Sequence, residues 1–346
     1  VLLGMFRKES LKLSWPIFNI DDFDKPIYVN NREFRTENTT NYFEQSMIEA
    51  NSFEKENGII KNTNLITEVD CPVCEDTQNR QLFVKWGFKI VECAMCSHIF
   101  VKNQIRPEKL EDLYSSSDID KQAKVRKKGD SDLSRYWILL YAKYLQLLTI
   151  KHSDKKKINL LDVGAGGGEF IEMCKNIPHP IELYAMEFSD HSKEHLTNIV
   201  GENRLYRRSI SEINFGRNKF DVITLWGVLE HISNPYKELL KCSKILTKTG
   251  NILILVPNIH SRAFGILGIT VPTINPRSHL SYYSYNSMKI LAKRVGLKID
   301  KYFQELPIID LMYDFIEDTE ELLQEIIAND ESYYSVYLLS KLNTED

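Results

Sequence analysis

The chain has 346 residues, 43% of them apolar, and a formal net charge of −4. This length allows about two domains with a large core. The scattered Lys and Arg argue against a nucleic-acid protein, and no apolar run approaches the roughly 20 residues that span a bilayer. Val1-Leu2-Leu3-Gly4-Met5-Phe6 is too short for a signal-peptide core. Met5 is therefore the expected start, and a cytoplasmic location with reduced thiols is the expectation.

Residues 1–67 read as an arm packing on the body or on another subunit. Ser14-Trp15-Pro16-Ile17-Phe18 and Pro26-Ile27-Tyr28-Val29 suggest short extended pieces. Thr39 to Glu56, with spaced Tyr42, Phe43, Met47, Ile48 and Phe53, suggests a helix.

Residues 68–114 read as a small metal module. Cys71-Pro72-Val73-Cys74 and Cys93-Ala94-Met95-Cys96 are two Cys-x-x-Cys pairs separated by eighteen residues, a spacing that suits tetrahedral zinc better than redox pairs. Leu82 to Val91 reads as a hairpin with Gly87 near its turn, which makes a zinc ribbon. Four thiolates leave no open position, so the zinc is expected to be structural. A strand, His98 to Val101, and a short helix from Pro107 with Leu110, Leu113 and Tyr114 follow. Residues 115–132 read as a connector with a solvated basic run (Lys121, Lys124, Arg126, Lys127, Lys128). Leu133, Trp137, Leu140, Tyr141, Tyr144 and Leu148 then follow helical spacing, so 115–150 is linker and lead-in helix.

Residues 151–346 read as the main domain. Asn159-Leu160-Leu161-Asp162-Val163 suggests a buried strand that enters the turn Gly164-Ala165-Gly166-Gly167-Gly168 and a helix from Phe170 to Cys174. Such a strand, glycine turn and helix start make a nucleotide-sized site. A dinucleotide fingerprint would need glycine where Glu169 stands, which disfavours a nicotinamide oxidoreductase. Ile181 to Met186 is the second strand. It ends in Glu187, nineteen positions after Gly168 and suited to ribose hydroxyls. Phe188 could pack on a base. Arg204-Leu205-Tyr206, Lys219 to Trp226 and Asn251 to Asn258 are the next strands. The helix Tyr236 to Leu246, with Leu239, Leu240, Ser243 and Ile245 inward, is expected to end at Thr249-Gly250. Cys174 and Cys242 read as packing residues. Residues 259–283 read as a lid. Ser284 caps a helix to Val295, Leu297 to Phe303 and Ser335 to Leu342 close the sheet, and an acidic helix with Leu311, Phe315, Leu322, Leu323 and Ile326 is expected over 309–328, where it could form a homodimer contact.

Asp162-x-Gly164-x-Gly166-x-Gly168 resembles the first motif of the class I S-adenosylmethionine-dependent methyltransferases. Leu229-Glu230-His231-Ile232-x-x-Pro235 resembles the fourth-strand motif of their small-substrate members. Arg277 to Ser284 resembles the His-containing stretch before their last helix. The four-cysteine segment resembles the zinc-binding leader of some bacterial sugar- and polysaccharide-modifying methyltransferases. Together these cover about residues 155–305 and 71–114. The resemblance implies an α/β, Rossmann-like seven-stranded methyltransferase domain preceded by a zinc-ribbon module. It implies S-adenosyl-L-methionine held by Asp162, Gly164, Ala165, Gly166, Gly168, Glu187, Phe188, Ser209, Ile210, Leu225, Trp226 and Gly227. Ser209, or a backbone group beside it, takes the adenine role that many members give to Asp.

His231 is the first general-base candidate, because imidazole titrates near neutrality; His279, Glu230 and Tyr282 are the others. For His231 the rival reading is a Glu-His pair that only fixes the loop and helix start; for His279 it is a histidine hydrogen-bonded inside the lid. Some quinone-modifying relatives hold a divalent metal with a Glu three residues before the Glu-His pair. Gly227 stands there, so no catalytic metal is expected. The expected function is methyl transfer to an oxygen of a small molecule, such as a sugar, nucleotide-sugar or glycan unit, with carbon or nitrogen transfer as alternatives. A zinc-ribbon nucleic-acid binder or RNA methyltransferase would have only Lys85, Trp86 and Lys89 to offer.

Overall fold

The computed structural model describes residues 18–27, 37–61, 64–109, 132–311 and 319–342. Outside them lie residues 14–17 and 28–29 of the expected extended pieces, Leu110, Leu113 and Tyr114, the basic run of 121–128, and Phe315. The side chains of Tyr42, Phe43 and Leu133 also lie outside.

Helix α1 (Glu37–Ser52) leads into the small hairpin β1 (Lys55–Glu56) and β2 (Ile59–Ile60). Then come β3 (Ile66–Glu68), β4 (Asn79–Lys85), β5 (Phe88–Cys93), β6 (Ile99–Val101) and β7 (Asn103–Ile105). β4 and β5 form the expected hairpin, with Lys85 opposite Phe88. Both central residues of its turn have positive φ, Trp86 at 56° and Gly87 at 92°, as a type I′ turn requires. Helix α2 (Asp132–Lys151) is the lead-in helix.

The main sheet begins with β8 (Ile158–Val163), followed by α3 (Glu169–Cys174), β9 (Ile181–Met186), α4 (Lys193–Val200), β10 (Leu205–Tyr206) and β11 (Phe220–Trp226). It continues through α5 (Pro235–Ile245), β12 (Leu246–Pro257), α6 (Arg262–Leu267), β13 (Ser281–Tyr282) and α7 (Tyr285–Arg294). β14 (Leu297–Glu305), α8 (Glu320–Ala328) and β15 (Tyr334–Lys341) complete the chain. Seven strands form one sheet in the order β10-β9-β8-β11-β12-β15-β14. The first five run parallel, and β15 is antiparallel to both β12 and β14. The order in which strands are added reverses between β8 and β11, so their carboxyl ends open the crevice where α/β sheets bind ligands.

Both sheet faces are covered. Leu253 and Leu255 of β12 join the core beneath α2, while Ile252, Ile254 and Val256 join the core on the other side. Burial on both faces explains why β12 reads as an unbroken apolar run. α5 is capped by Asn234, whose side chain accepts from Lys237 N at 3.0 Å, and opens with Pro235.

Four expectations need correcting. The helix expected to run to Glu56 stops at Ser52, and Lys55–Glu56 is a strand. α5 stops at Ile245, and Thr249-Gly250 belongs to the start of β12. A side chain at Gly250 would meet Leu246 of the same strand at 2.8 Å, so glycine here lets the start of β12 lie against Leu246 and does not end a helix. Residues 309–311 are not helical; Thr319 starts α8 by accepting from Leu322 N at 3.2 Å. The lid is mostly core: Val271, Ile274, Asn275, Arg277, Ser278 and Leu280 are buried. It is pinned because Val101 N donates to Leu280 O (3.0 Å) and Leu280 N donates to Glu230 O (2.7 Å). β13 also adds to the ribbon, giving the order β13-β6-β5-β4.

Candidate active site

The bend between β8 and α3 is shaped by backbone hydrogen bonds. Gly164 N and Ala165 N both donate to Met186 O, at 2.8 and 2.9 Å, which ties the bend to the end of β9. Gly164 has φ 71°, and a side chain there would strike Val228 at 2.5 Å. Gly166 differs: its φ is 54°, yet nothing lies within 4 Å of where its side chain would stand. Glu187 faces this open point. Its carboxylate accepts from Gly166 N (2.9 Å) and from Ser189 N (2.8 Å). Phe188, beside it, is 48% exposed, which leaves its ring open to a ligand.

Asp162 lies beneath the bend, buried, and its carboxylate accepts from Thr224 Oγ1 at 2.7 Å. Burial pushes it up to about 8, and the Thr224 hydroxyl offsets part of that. The indole of Trp226 packs among Tyr141, Phe170 and Tyr144 at centroid distances of 5.0, 5.2 and 6.0 Å. Its Nε1 is buried with no hydrogen-bond partner among the described residues. Gly227 follows with φ 64°. An open cradle, an inward carboxylate, an exposed aromatic and an orphaned donor fit a nucleoside with a polar tail.

The other expected cofactor residues are differently placed. Ser209 Oγ donates to Glu238 Oε1 at 2.6 Å, and Ile210 and Leu225 are buried in the core on the sheet face opposite Trp226. The Ser209 side chain is thereby tied to α5, and those of Ile210 and Leu225 pack in that core.

His231 and His279 meet edge to face with centroids 4.7 Å apart. His231 Nδ1 is 2.9 Å from Ser278 O, and His279 Nδ1 is 2.7 Å from Thr273 O. A carbonyl only accepts, so each Nδ1 carries the proton and the lone pair sits on Nε2. Burial lowers His231 to about 4 and His279 to about 3; the Ser278 carbonyl opposes the first shift. Burial raises Glu230 to about 8, and its Oε2 has no partner among the described residues. One ligand-type atom from each of Glu230, His231 and His279 lies within 4.8 Å of the others. The group can accept a proton, and the same spacing suits one divalent cation. The expectation of no metal rested on Gly227; His279 brings a third donor from the lid. Tyr282 is buried, its hydroxyl lacks a partner among the described residues, and burial raises it strongly.

The family model described as "Methyltransferase domain" matches residues 131–302. These residues form a class I S-adenosylmethionine-dependent methyltransferase domain. Two curated relatives carry the name ubiquinone biosynthesis O-methyltransferase. The one from Maricaulis maris is 28% identical over 112 residues, 32% of this chain and 44% of its own. The one from Pelagibacter ubique is 32% identical over 128 residues, 34% and 52% respectively. The chain thus spans about half the length of the curated relatives it matches. Among solved structures, magnesium protoporphyrin IX methyltransferase from Synechocystis aligns with a TM-score of 0.45 and 10% identity, covering 68% of this chain and 100% of its own.

Ahead of the methyltransferase domain, the four ribbon cysteines converge. Cys71 Sγ is 3.5 Å from Cys96 Sγ, Cys74 Sγ is 3.4 Å from Cys93 Sγ, and all four sulfurs lie within 4.8 Å of one another. A zinc tetrahedron spaces its sulfurs about 3.8 Å apart, so the four thiols fit the ion. Thr224 and the carbonyls of Thr273 and Ser278 escaped the sequence reading. A lone hydroxyl inside the apolar strand β11 was the one signal for Thr224; backbone acceptors leave none.

Proposed function

We propose that this protein transfers the methyl group of S-adenosylmethionine to an oxygen of a small molecule. The open cradle at Gly166, faced by Glu187, carries this reading. The sulfonium cofactor brings an already activated methyl, which leaves the chain to align the acceptor and exclude water. Glu187 is placed for the ribose hydroxyls and Phe188 for the adenine face. His231 accepts the acceptor's proton at Nε2, and the Ser278 carbonyl holds the ring in that tautomer. The four-cysteine ribbon holds a structural zinc. Calorimetry with S-adenosylmethionine tests the cofactor assignment: binding to the wild type is expected, and unchanged binding in Gly166→Trp rejects the cradle.

The cysteine leader supports a sugar, nucleotide-sugar or glycan unit as acceptor. A second reading, an apolar ring-bearing acceptor, is favoured by the aromatic side chains around Trp226 and by the names of the curated relatives. A nucleic-acid acceptor is disfavoured because Arg80, Lys89 and Lys102 of the ribbon each pair with a carboxylate, of Glu92, Glu68 and Asp70.

A further inference from the structure

The exception among the basic side chains of β4, β5 and the turns around them is Lys85. Among the described residues no carboxylate pairs with it; its ammonium stands 4.8 Å from the centroid of the neighbouring Trp86 ring. Trp86 is itself unusual. A type I′ turn favours Asn or Gly at its first position, and a bulky residue at positive φ is strained. Strain of this kind persists where the side chain's position is put to use.

Both residues line a cleft of about 390 Å³ with Met47 of α1, Val84 of β4, and Ile269 and Thr270 of the lid. The lining is apolar apart from the Thr270 hydroxyl, the Trp86 indole N–H and the Lys85 ammonium, its one charge. Met47 and Ile269 are 39% and 42% exposed, so these apolar side chains stay uncovered around the opening. Ile269 and Thr270 belong to the same lid segment as Thr273, whose carbonyl lies 2.7 Å from His279 Nδ1.

We propose that this cleft is the acceptor site, and that it takes an apolar, ring-bearing molecule whose carboxylate pairs with Lys85 while its ring packs on Trp86. An unpaired cation against an apolar wall is unfavourable unless a ligand completes it, and a pocket with few convergent polar groups orients its ligand through them. Burial also lowers Lys85 to about 8, so at neutral pH it keeps its charge but gains from a counter-ion. The ribbon then does more than staple the fold: its hairpin turn reads the acceptor. This inference rests on the methyltransferase reading, since it places the acceptor beside His279 and His231.

The test uses the full chain saturated with S-adenosylhomocysteine and two probes of one shape, 2-naphthoate and the neutral 2-naphthamide, titrated by calorimetry. The carboxylate is expected to bind about tenfold tighter or more. Lys85→Met should erase that preference, and Lys85→Arg should keep it, with zinc content and melting temperature showing that both variants fold. Equal binding of the probes, no binding of either, or a preference that survives Lys85→Met overturns the proposal. If S-adenosylhomocysteine itself does not bind, the methyltransferase reading fails instead, and the same titration on the cofactor-free chain still decides the role of Lys85.

Discussion

The molecule buries acids in two ways. At the edge strand β14, Glu305 is fully enclosed and fully answered. Its Oε1 accepts from Lys143 Nζ (2.6 Å) and Tyr144 OH (2.7 Å), and its Oε2 accepts from Ile27 N (2.6 Å). Lys143 Nζ also donates to Lys25 O at 2.6 Å, so the cluster latches residues 18–27 onto α2 and β14. At the crevice, Asp162 has one hydroxyl, and Glu230 has an oxygen with no partner among the described residues. A satisfied buried charge holds elements together; an under-satisfied one has capacity left for a proton or a ligand.

The largest expected effect comes from breaking the satisfied side. Lys143→Met leaves Glu305 buried without its cation and should destabilise the fold by about 3–5 kcal/mol, read as a fall in the denaturation midpoint. A variant within 1 kcal/mol of wild type would contradict the latch.

On the other side the losses should appear in function. His231→Gln is expected to lower kcat by about 100-fold or more, within the usual range for a general base, with S-adenosylhomocysteine affinity unchanged. Unchanged kcat would show that the imidazole only packs. Gly166→Trp should weaken S-adenosylmethionine about 100-fold, roughly 2.7 kcal/mol, while zinc content stays at the wild-type level.

The pH dependence sharpens the contrast further. Asp162 and Glu230 both titrate near 8 in the fold, above their ordinary 3.8 and 4.5. The fold therefore binds more protons than the unfolded chain between those limits. The stability they contribute is complete below about pH 4 and is lost as pH rises through 8. The melting temperature should fall over that interval, and Asp162→Asn should flatten the slope while keeping an acceptor for Thr224. A slope unchanged in that variant would remove Asp162 from the account. The smallest effect is expected from Phe188→Ala, about 1 kcal/mol of cofactor affinity with no change in melting temperature.

Local signals carried the reading wherever neighbours in the chain are neighbours in space. The cysteine pairs, the glycine bend, Glu187 at a strand end and Ser284 at a helix start all belong to single turns. Signals failed where partners come from distant segments. Nothing near Glu305 points to Lys143, 162 positions away. Nothing near Gly227 points to His279 as a third donor, and Gly250 looks like a helix stop until Leu246 is seen against it.

The amino-acid sequence alone determined the seven strands of the main sheet, the ribbon hairpin, the zinc-type cysteine spacing and the bend that marks a methyltransferase domain, because each depends on backbone preference and on side-chain period over a few residues. Only the tertiary structure decided which buried acids are answered, how the lid is pinned between the ribbon and Glu230, and that Lys85 stands in a cleft without a counter-ion among the described residues. Those outcomes depend on strand register and on which segments meet, and one residue of register turns a side chain to the opposite face.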